Sequence, residues 1–392
     1  MGGGKALAVV AGGELNGLGV VRSLARADVA ALFLDTDTRR ATMQTRFAHK
    51  REVAALSGPL FLAELKRLRA ELDHDPVLFL TQEAGVATVA EVHAEIAKSF
   101  RISMPPLATM RMLMDKTLFQ TQAEALGFAV PRSVRLHRGD EGAAVETLRF
   151  PCVLKPAAKS PDHRLPKAHR LGDAAAARAL WRDLDGRVDC AILQEWIEGA
   201  DSDVYFCLQY RARSGEIASF TGRKTCQWPP LVGGTATCMP APEAEAELTA
   251  TTNRFFEAVG FIGMGSMEYK RDRRDGRFLM VEPTVGRTDF QEEIATLNGV
   301  NIPYAAWLGE QARPLRGYGH AAAPTAWRDP FGHHNAVKTG ASDALAAIAP
   351  GMKVADAYFR ALDPAPHFLA RLEPVGKRLR ALAKRKTAAA DA

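Results

Sequence analysis

The sequence has few cysteines and no long apolar run, and these shortages exclude several classes of protein. Its five cysteines are odd in number and form no CxxC pair, which argues against a disulfide scaffold or a zinc knuckle. No apolar run approaches the length that a membrane span needs. The opening stretch MGGGKALAVVAGG has no cleavable secretory pattern. We therefore expect a cytoplasmic protein with no membrane span.

Size and composition indicate a soluble protein with more than one lobe. The chain has 392 residues, which is too long for one ordinary core and suits two or three lobes. Its apolar content of 47% and charged content of 24% are typical of globular proteins. The net charge of +6, which includes a basic block at Lys377–Lys386, suits nucleic acid or anionic lipid. It equally suits acidic small substrates such as nucleoside triphosphates, so charge alone does not choose.

The first hundred residues predict a parallel α/β lobe. The apolar run 5–10 breaks at a glycine turn and resumes with helical periodicity, and a second strand, Val29–Leu34, follows. Together they make one βαβ unit with a right-handed crossover. A third strand, Pro76–Leu80, and a helix, Val86–Ser99, extend the pattern to about residue 103.

The glycine turn GGELNGLG, residues 12–19, has two interpretations. It is close to a dinucleotide-binding fingerprint, with Asp35 or Asp37 placed to meet a ribose, but its spacing does not match GxGxxG. Glycine turns are common in α/β folds, so we favour a plain turn that opens a helix.

Two acids lie in short apolar strands of the stretch Gly260–Arg287. A carboxylate in an apolar strand is costly unless a cation or donor meets it, so Glu268 and Glu282 suggest a shared metal. A two-residue turn centred on Asp275-Gly276 would put these acids on opposite faces of the ribbon. A three-residue loop, Arg274–Gly276, or a bulge would bring them directly opposite each other. An ordinary hairpin with one acid solvated is the alternative, and this stretch alone does not decide.

Lysines in the middle of the chain are candidates to meet an anion. Met104-Pro105-Pro106 marks a boundary, and Leu107–Leu126 predicts a helix that carries Asp115-Lys116. A lysine on a helix is usually solvated. Lys155 is more informative, because it lies in the buried-looking strand FPCVLKP, residues 150–156, where a lysine needs an anion. The following loop is either a phosphate-covering flap or a solvated loop, and it carries Lys159, His163, Arg164, Lys167 and His169.

The next hundred residues predict a strand that ends in a flat apolar side chain, and then a hairpin. CAILQEWIEG, residues 190–199, suits a purine slot, with Trp196 as plain core the alternative. Val204–Tyr210 and Ile217–Gly222 predict an antiparallel pair. The PP and GG punctuation of CQWPPLVGGTATC, residues 226–238, predicts a mobile lid.

Two further predictions concern the C-terminal third. Phe290–Asn298 has the composition of a helix with polar residues in its first turn. His333-His334 could ligate a metal, but adjacent histidines in a strand point opposite ways, so we favour a surface loop.

Five motifs in chain order resemble the ATP-grasp superfamily. They are Asp115-Lys116, PCVLKP at 151–156, QEWIEG at 194–199, KTCQWPPLVGGTAT at 224–237, and the acids Glu268 and Glu282. No single motif is specific, but five in the right order are. The stretch EPTVGRTDFQEEIATLNGVNIP, residues 282–303, resembles the carboxylate–amine ligase branch that includes D-aspartate ligase-like proteins.

The resemblance covers most of the chain and implies a mixed α/β and α+β fold. An N-terminal parallel α/β domain, the pre-ATP-grasp lobe, would span residues 1–103. Two α+β subdomains that grasp a nucleotide would follow, A at 104–193 and B at 194–312, and 313–392 would be a basic C-terminal extension.

The resemblance also implies how ATP would be held. Lys116 and Lys155 match the lysines on its phosphates, and Asp201 matches the ribose-binding acid, with Asp203 its nearby competitor. A hinge strand would lie against adenine and consists of Gln194, Glu195, Trp196 and Ile197.

Glu268 and Glu282 match the family's Mg²⁺ ligands. The third ligand is usually an asparagine two residues after the second acid, and here that position is Thr284. A hydroxyl is a poorer cation ligand than an amide carbonyl, so one Mg²⁺ is expected to be lost or held through water. The glycine-rich flap expected after Lys155 is also absent from the sequence.

The implied activity is an ATP- and Mg²⁺-dependent ligase that joins a small carboxylate, an amino acid or a derivative, to an amine. Arg287 is our choice to hold the acyl phosphate or the acceptor carboxylate, because a planar guanidinium suits both oxyanions. Arg223 and Lys224 are the next candidates. The alternatives are a carboxylating or kinase-like enzyme acting on bicarbonate or a sugar acid, and a non-catalytic nucleotide- or dinucleotide-binding protein. No nucleic-acid partner is expected, and a homodimer is left open.

Overall fold

The structure, a computed structural model, describes residues 6–140, 142–156, 169–184, 187–231, 233–316, 321, 323–340, 348 and 350–372. The basic block Lys377–Lys386 and most of the cationic loop after Lys155, residues 157–168, lie outside the described residues.

The N-terminal lobe is built on a four-stranded parallel sheet in the order β3-β2-β1-β4. Its strands are β1 Ala8–Ala11, β2 Ala31–Asp35, β3 His49–Glu52 and β4 Val77–Leu80; its helices are α1 Leu15–Ala25, α2 Gly58–Ala70, α3 Glu83–Glu91 and α4 His93–Ile96. The parallel α/β prediction is confirmed. The sequence HKRE of β3 was missed, because charged residues on an edge strand carry no apolar signal. The helix expected over Val86–Ser99 is two short helices that meet at Val92.

A second, antiparallel sheet of four strands has the order β5-β8-β6-β7. Its strands are β5 Ser133–His137, β6 Cys152–Pro156, β7 His169–Leu171 and β8 Cys190–Glu195; helices α5 Leu107–Met114 and α6 Lys116–Ala125 precede it, and α7 Ala174–Leu184 covers one face. Cys152 and Leu154 point towards Trp181 of α7. Side chains alternate along a strand, so Lys155 projects from the face opposite α7.

The helix expected over Leu107–Leu126 is interrupted at Asp115. The carboxylate of Asp115 accepts hydrogen bonds from the backbone N–H groups of Thr117 and Leu118, at 2.8 and 2.9 Å. Asp115 is therefore the N-cap of α6, because its side chain satisfies donors that the first turn leaves unpaired. The single-helix prediction was wrong, and the break places Lys116 at the start of a new helix.

The third sheet has seven strands in the order β13-β12-β9-β10-β11-β14-β15. Its strands are β9 Val204–Arg211, β10 Ile217–Trp228, β11 Gly234–Pro240, β12 Gly263–Arg271, β13 Phe278–Val285, β14 Thr325–Arg328 and β15 Lys353–Asp356; its helices are α8 Pro242–Ala258, α9 Glu293–Leu297, α10 Ile302–Gly309 and α11 Pro330–Lys338. All neighbouring strands are antiparallel except β14 and β15.

Two expectations about loops meet this sheet. Most of the stretch predicted to be a mobile lid belongs to the paired strands β10 and β11, and its mobility stays a prediction. His333 lies in α11, is buried, and shares a 2.9 Å hydrogen bond with the hydroxyl of Thr237. The surface-loop prediction was therefore wrong for this histidine.

The large sheet packs against apolar residues on both of its faces. Phe206, Leu208 and Tyr210 belong to one apolar core together with residues of helices α1 and α10. Tyr205 and Cys207, on the opposite face of the same strand, pack with α8. Among the described residues, no helix is both long enough and apolar enough to cross a membrane.

Candidate active site

Glu268 and Glu282 lie directly opposite each other on β12 and β13. The chain reverses through four residues, 273–276, because the Asp272 N–H donates to the Arg277 carbonyl at 2.9 Å. Gly276 has φ of 76°, a left-handed conformation that glycine adopts without steric cost. Neither the two-residue turn nor the three-residue loop is present.

A bulge at Val281 completes the register. Tyr269 pairs with Met280, whereas Glu268 pairs with Glu282, so Val281 is an extra residue between two ladder positions. One inserted residue moves every later side chain of a strand to the other face. The four-residue turn alone would separate the acids, and the bulge brings both to the same face of the sheet.

Each acid is paired with a lysine from a different part of the chain. Lys116, at the start of α6, lies 3.3 Å from Glu282, and both side chains are about half exposed. Lys224 of β10 donates to Glu268 at 2.5 Å and to the amide oxygen of Gln227 at 3.3 Å. Lys224 is buried. The pairs place positive charge next to two carboxylates on the side of the large sheet that faces Lys155 of the small sheet, and we call the space between these two sheets the cleft.

Lys155 faces the acids from the small sheet. Its ammonium donates to the amide oxygen of Gln194 at 3.2 Å. Burial lowers the pKa of Lys155 to about 8, the charge of Lys116 lowers it further, and Glu282 and Glu268 oppose both effects. Three lysines therefore lie around the two acids, one each from helix α6, the small sheet and the large sheet.

The hinge strand borders the same cleft. Trp196 is buried, with the ammonium of Lys270 4.6 Å and the guanidinium of Arg170 5.3 Å from its ring. Lys270 belongs to the large sheet and Arg170 to the small one. An open space of about 270 Å³ lies beside the hinge, lined by Ala129–Arg132, Glu195–Ile197, Asp272, Arg274, Arg277 and Leu279. Glu195 accepts a hydrogen bond from the Arg149 N–H at 2.9 Å, which fixes the strand end.

Lys270 and Arg170 were not predicted as site residues. Lys270 carried a signal, since it lies two positions after Glu268 and therefore shares its face. Arg170 carried none, because only the pairing of β6 with β7 brings it beside the hinge.

Asp201 and Asp203, which follow the hinge strand, differ in how accessible their carboxylates are. Asp203 is 2% exposed and pairs with Arg271 at 3.2 Å and Arg273 at 2.5 Å. Asp201 is more exposed and accepts from both the backbone and the side-chain amide of Gln227, and from the Leu231 N–H at 2.9 Å. Both acids hold local structure, and because Asp203 is buried and paired with two arginines, Asp201 is the better candidate to meet a ribose.

The remaining predicted residues lie at different distances from the acids. The Thr284 hydroxyl donates to Asp289 at 2.6 Å, and the Arg287 guanidinium donates to the Thr288 carbonyl at 3.1 Å. Arg223 lies 3.7 Å from Glu243 of α8. Because successive strand residues alternate, Arg223 points away from the cleft that Lys224 enters.

The N-terminal glycine turn is satisfied by the protein itself. Asp35 is fully buried and accepts from the Gly13 N–H at 2.7 Å and from Arg40 at 3.0 Å. Its carboxylate is therefore engaged by groups of the protein itself. Asp37 is exposed and pairs with Arg39. The geometry favours the plain glycine turn.

The acid pair offers the carboxylate oxygens that Mg²⁺ commonly takes as ligands. Mg²⁺ is typically held by one or two carboxylates, together with water and substrate phosphates. Among the described residues, no group of three or more His, Cys, Asp or Glu side chains is arranged to hold a metal. Ser266, which pairs with Thr284 on the same face, has a buried hydroxyl oxygen without a hydrogen-bond partner. Two carboxylates and nearby hydroxyls thus offer an oxygen site that phosphates would have to complete.

Comparison with known proteins agrees with this geometry at the level of the fold. No protein-family model and no curated protein matches the sequence. Solved structures match it over most of its length. An ADP complex of N5-carboxyaminoimidazole ribonucleotide synthetase has a TM-score of 0.64 at 15% identity, with 82% of this chain and 80% of that chain covered. The Staphylococcus aureus N5-carboxyaminoimidazole synthetase with ADP gives 0.63 at 15%, with 83% and 82% covered.

A third similar structure is the biotin carboxylase domain of the Hydrogenobacter thermophilus 2-oxoglutarate carboxylase, solved with MgADP, ADP and bicarbonate. Its TM-score is 0.61 at 13% identity, and the match covers 80% of this chain and 71% of that chain. The chain therefore has the ATP-grasp fold. Identities this low show the fold and leave the reaction to be argued from the site.

Proposed function

We propose that this protein is an ATP- and Mg²⁺-dependent ligase that activates a small carboxylate and joins it to an amine. The observation that carries the proposal is the register of β12 and β13, which sets Glu268 opposite Glu282. Lys116 of helix α6, Lys155 of the small sheet and Lys224 of the large sheet surround this pair. A triphosphate lying between subdomain A, residues 104–193, and subdomain B, residues 194–312, would complete a Mg²⁺ site on the acids.

The proposed reaction has two steps. A carboxylate oxygen of the substrate attacks the γ-phosphorus of ATP, and the bond from that phosphorus to the bridging oxygen breaks, which releases ADP and leaves an acyl phosphate. The amine nitrogen then attacks the acyl carbon, inorganic phosphate leaves, and the nitrogen loses a proton to water. Mg²⁺, when bound, neutralises charge on the transferring phosphoryl group.

The chain's own residues bind and orient the reactants in this proposal. Lys116 and Lys155 hold the phosphates, and the hinge strand Gln194–Ile197 lines the base. Lys224, which already neutralises Glu268, and Arg287 hold the acyl phosphate or the acceptor carboxylate. Arg223 has no role in binding the reactants, because its guanidinium lies on the α8 side of the sheet. No protein nucleophile is needed.

A second candidate is carboxylation with bicarbonate as the activated carboxylate. It is favoured by one similar structure, the biotin carboxylase domain, which contains bicarbonate together with MgADP. Location in the cytoplasm and a homodimer are kept as predictions of their own.

The two candidates differ in what ADP release requires. We expect ADP release from amino acids supplied in pairs as carboxylate and amine, and none from bicarbonate alone, because an amine must discharge the acyl phosphate. A coupled assay of phosphate release over a panel of amino-acid pairs, with and without bicarbonate, measures this. The Glu282→Gln protein, purified in parallel, reports contaminating ATPases. Nicotinamide binding in a fluorescence titration, with no ATP hydrolysis under any mixture, would contradict the proposal.

The lowered pKa of Lys155 predicts weaker nucleotide binding at alkaline pH. Its pKa of about 8 in the free protein means that the ammonium is charged on the acid side and is lost as pH rises through that value. A bound phosphate favours the charged form and raises this pKa, so binding takes up a proton above about pH 8. The ADP dissociation constant, measured by calorimetry, should rise by up to about tenfold per pH unit on the alkaline side.

Lys155→Arg is the control for this pH dependence. A guanidinium stays protonated throughout the range, so the dissociation constant of this variant should be flat with pH. An equal alkaline slope in both proteins would mean that another group titrates.

A further inference from the structure

Thr284 lies on the acid-bearing face, one ladder position from the acid pair. Side chains two residues apart on a strand share a face, so Thr284 follows Glu282 on β13 as Ser266 precedes Glu268 on β12. Ser266 pairs with Thr284, and no bulge intervenes between these two pairs. The threonine therefore occupies the position at which ATP-grasp enzymes usually carry an asparagine ligand.

The proton of the Thr284 hydroxyl is directed away from that position. Its oxygen donates to the carboxylate of Asp289 at 2.6 Å, and an ionised carboxylate only accepts hydrogen bonds. Both lone pairs of the hydroxyl oxygen are thus left for a cation. A short bond to a charged acceptor also increases the negative charge on the donor oxygen, which improves an otherwise weak ligand.

Asp289 is held in place by the N-terminal lobe. The side-chain amide of Asn16, in α1, donates to the carbonyls of Thr288 at 2.6 Å and of Asp289 at 2.8 Å. Gln291 donates to the second carboxylate oxygen at 3.4 Å. The hydrogen bond from the Thr284 hydroxyl is what links the Asp289 carboxylate to the acid-bearing face.

We propose that Asp289 is a positioning residue that converts Thr284 into an oxygen ligand of the magnesium site. This inference rests on the proposed function, because it assumes that the acid pair binds a metal with the nucleotide. The Thr284–Asp289 pair replaces the family's asparagine by a hydroxyl and a second, orienting acid, as residues behind a ligand commonly do. The competing explanation is that the hydrogen bond only closes the end of β13.

A double-mutant cycle separates these explanations without an activity assay. Binding of Mn²⁺ to the full-length protein with saturating ADP is measured by the electron paramagnetic resonance signal of free Mn²⁺. Thr284→Val and Asp289→Asn should each weaken Mn²⁺ binding by about 10- to 100-fold. The double variant should be no weaker than Thr284→Val, because Asp289 acts only through the hydroxyl. Thr284→Ser, which keeps the donor, should bind like the wild type.

Thr284→Asn provides the rescue. An amide carbonyl ligates without help from Asp289, so Asp289→Asn should have no effect on Mn²⁺ binding in this background. Thermal unfolding without metal or nucleotide is followed for every variant. Lowered unfolding temperatures with unchanged Mn²⁺ affinities, or an equal effect of Asp289→Asn in the wild-type and Thr284→Val backgrounds, would overturn the inference and leave the proposed function standing. A wild-type protein that binds no Mn²⁺ with ADP would overturn both.

Discussion

Glu282→Gln is expected to reduce ATP turnover by roughly 10²-fold or more while leaving the protein folded. A neutral amide replaces one of two carboxylates that face each other, and it also releases Lys116 from its 3.3 Å pairing. Because the Glu282 side chain is 50% exposed, losing this ion pair should change the free energy of unfolding by only about 0–1 kcal/mol. Steady-state ADP release and thermal unfolding, measured on the same preparation, test both parts.

Glu243→Gln is the matched control. Glu243 is 51% exposed and lies 3.7 Å from Arg223, on the opposite side of the same sheet. Removing this charge should leave turnover within about twofold of the wild type, because the cleft lysines and acids are untouched. Near-normal turnover in Glu282→Gln would remove the assignment on which the proposed site depends.

Lys155→Ala is expected to abolish turnover to a similar extent, roughly 10²-fold or more. Its ammonium is the cation of the small sheet that faces both acids, so without it a bound triphosphate would meet two carboxylates with less neutralising charge. The change should not destabilise the fold by removing a charge, since burial lowers the pKa of Lys155 and therefore disfavours its charged form. Nucleotide affinity by calorimetry and turnover by phosphate release are the measurements.

Lys50→Ala controls for loss of a lysine that donates to a glutamine. The Lys50 ammonium donates to the amide oxygen of Gln44 at 2.8 Å, on the edge of the N-terminal sheet. Its loss should affect neither affinity nor turnover. If Lys155→Ala binds ADP and turns over ATP as Lys50→Ala does, the phosphate assignment fails.

Much of the architecture was predictable because its signals are local. Continuous apolar runs separated by a glycine turn and a helical period indicated the parallel N-terminal lobe. Asp115 shows a local signal that was missed. The sequence predicted one helix over Leu107–Leu126 with Asp115 in its middle, yet Asp115 is the N-cap at which one helix ends and the next begins.

The charged residues of the candidate site were also visible in the sequence, but the residues with which they pair were not. A lysine in an apolar strand and two acids in apolar strands each indicated a burial cost that something must offset. Lys224 meets Glu268 across 44 positions of sequence and Lys116 meets Glu282 across 166. Which residues meet across such long sequence separations depends on how the helices and strands are arranged in the tertiary structure, and no local pattern specifies that arrangement.

The sequence by itself therefore determined which side chains must find an opposite charge, and in which strands they lie, because apolar periodicity and residue type are properties of short stretches. Only the tertiary structure decided that Glu268 faces Glu282. That pairing depends on one unpaired residue, Val281, and on a four-residue turn that ends at Gly276. A bulge of one residue decides which side chains share a face, and the apolar pattern of the two strands does not indicate where that bulge lies.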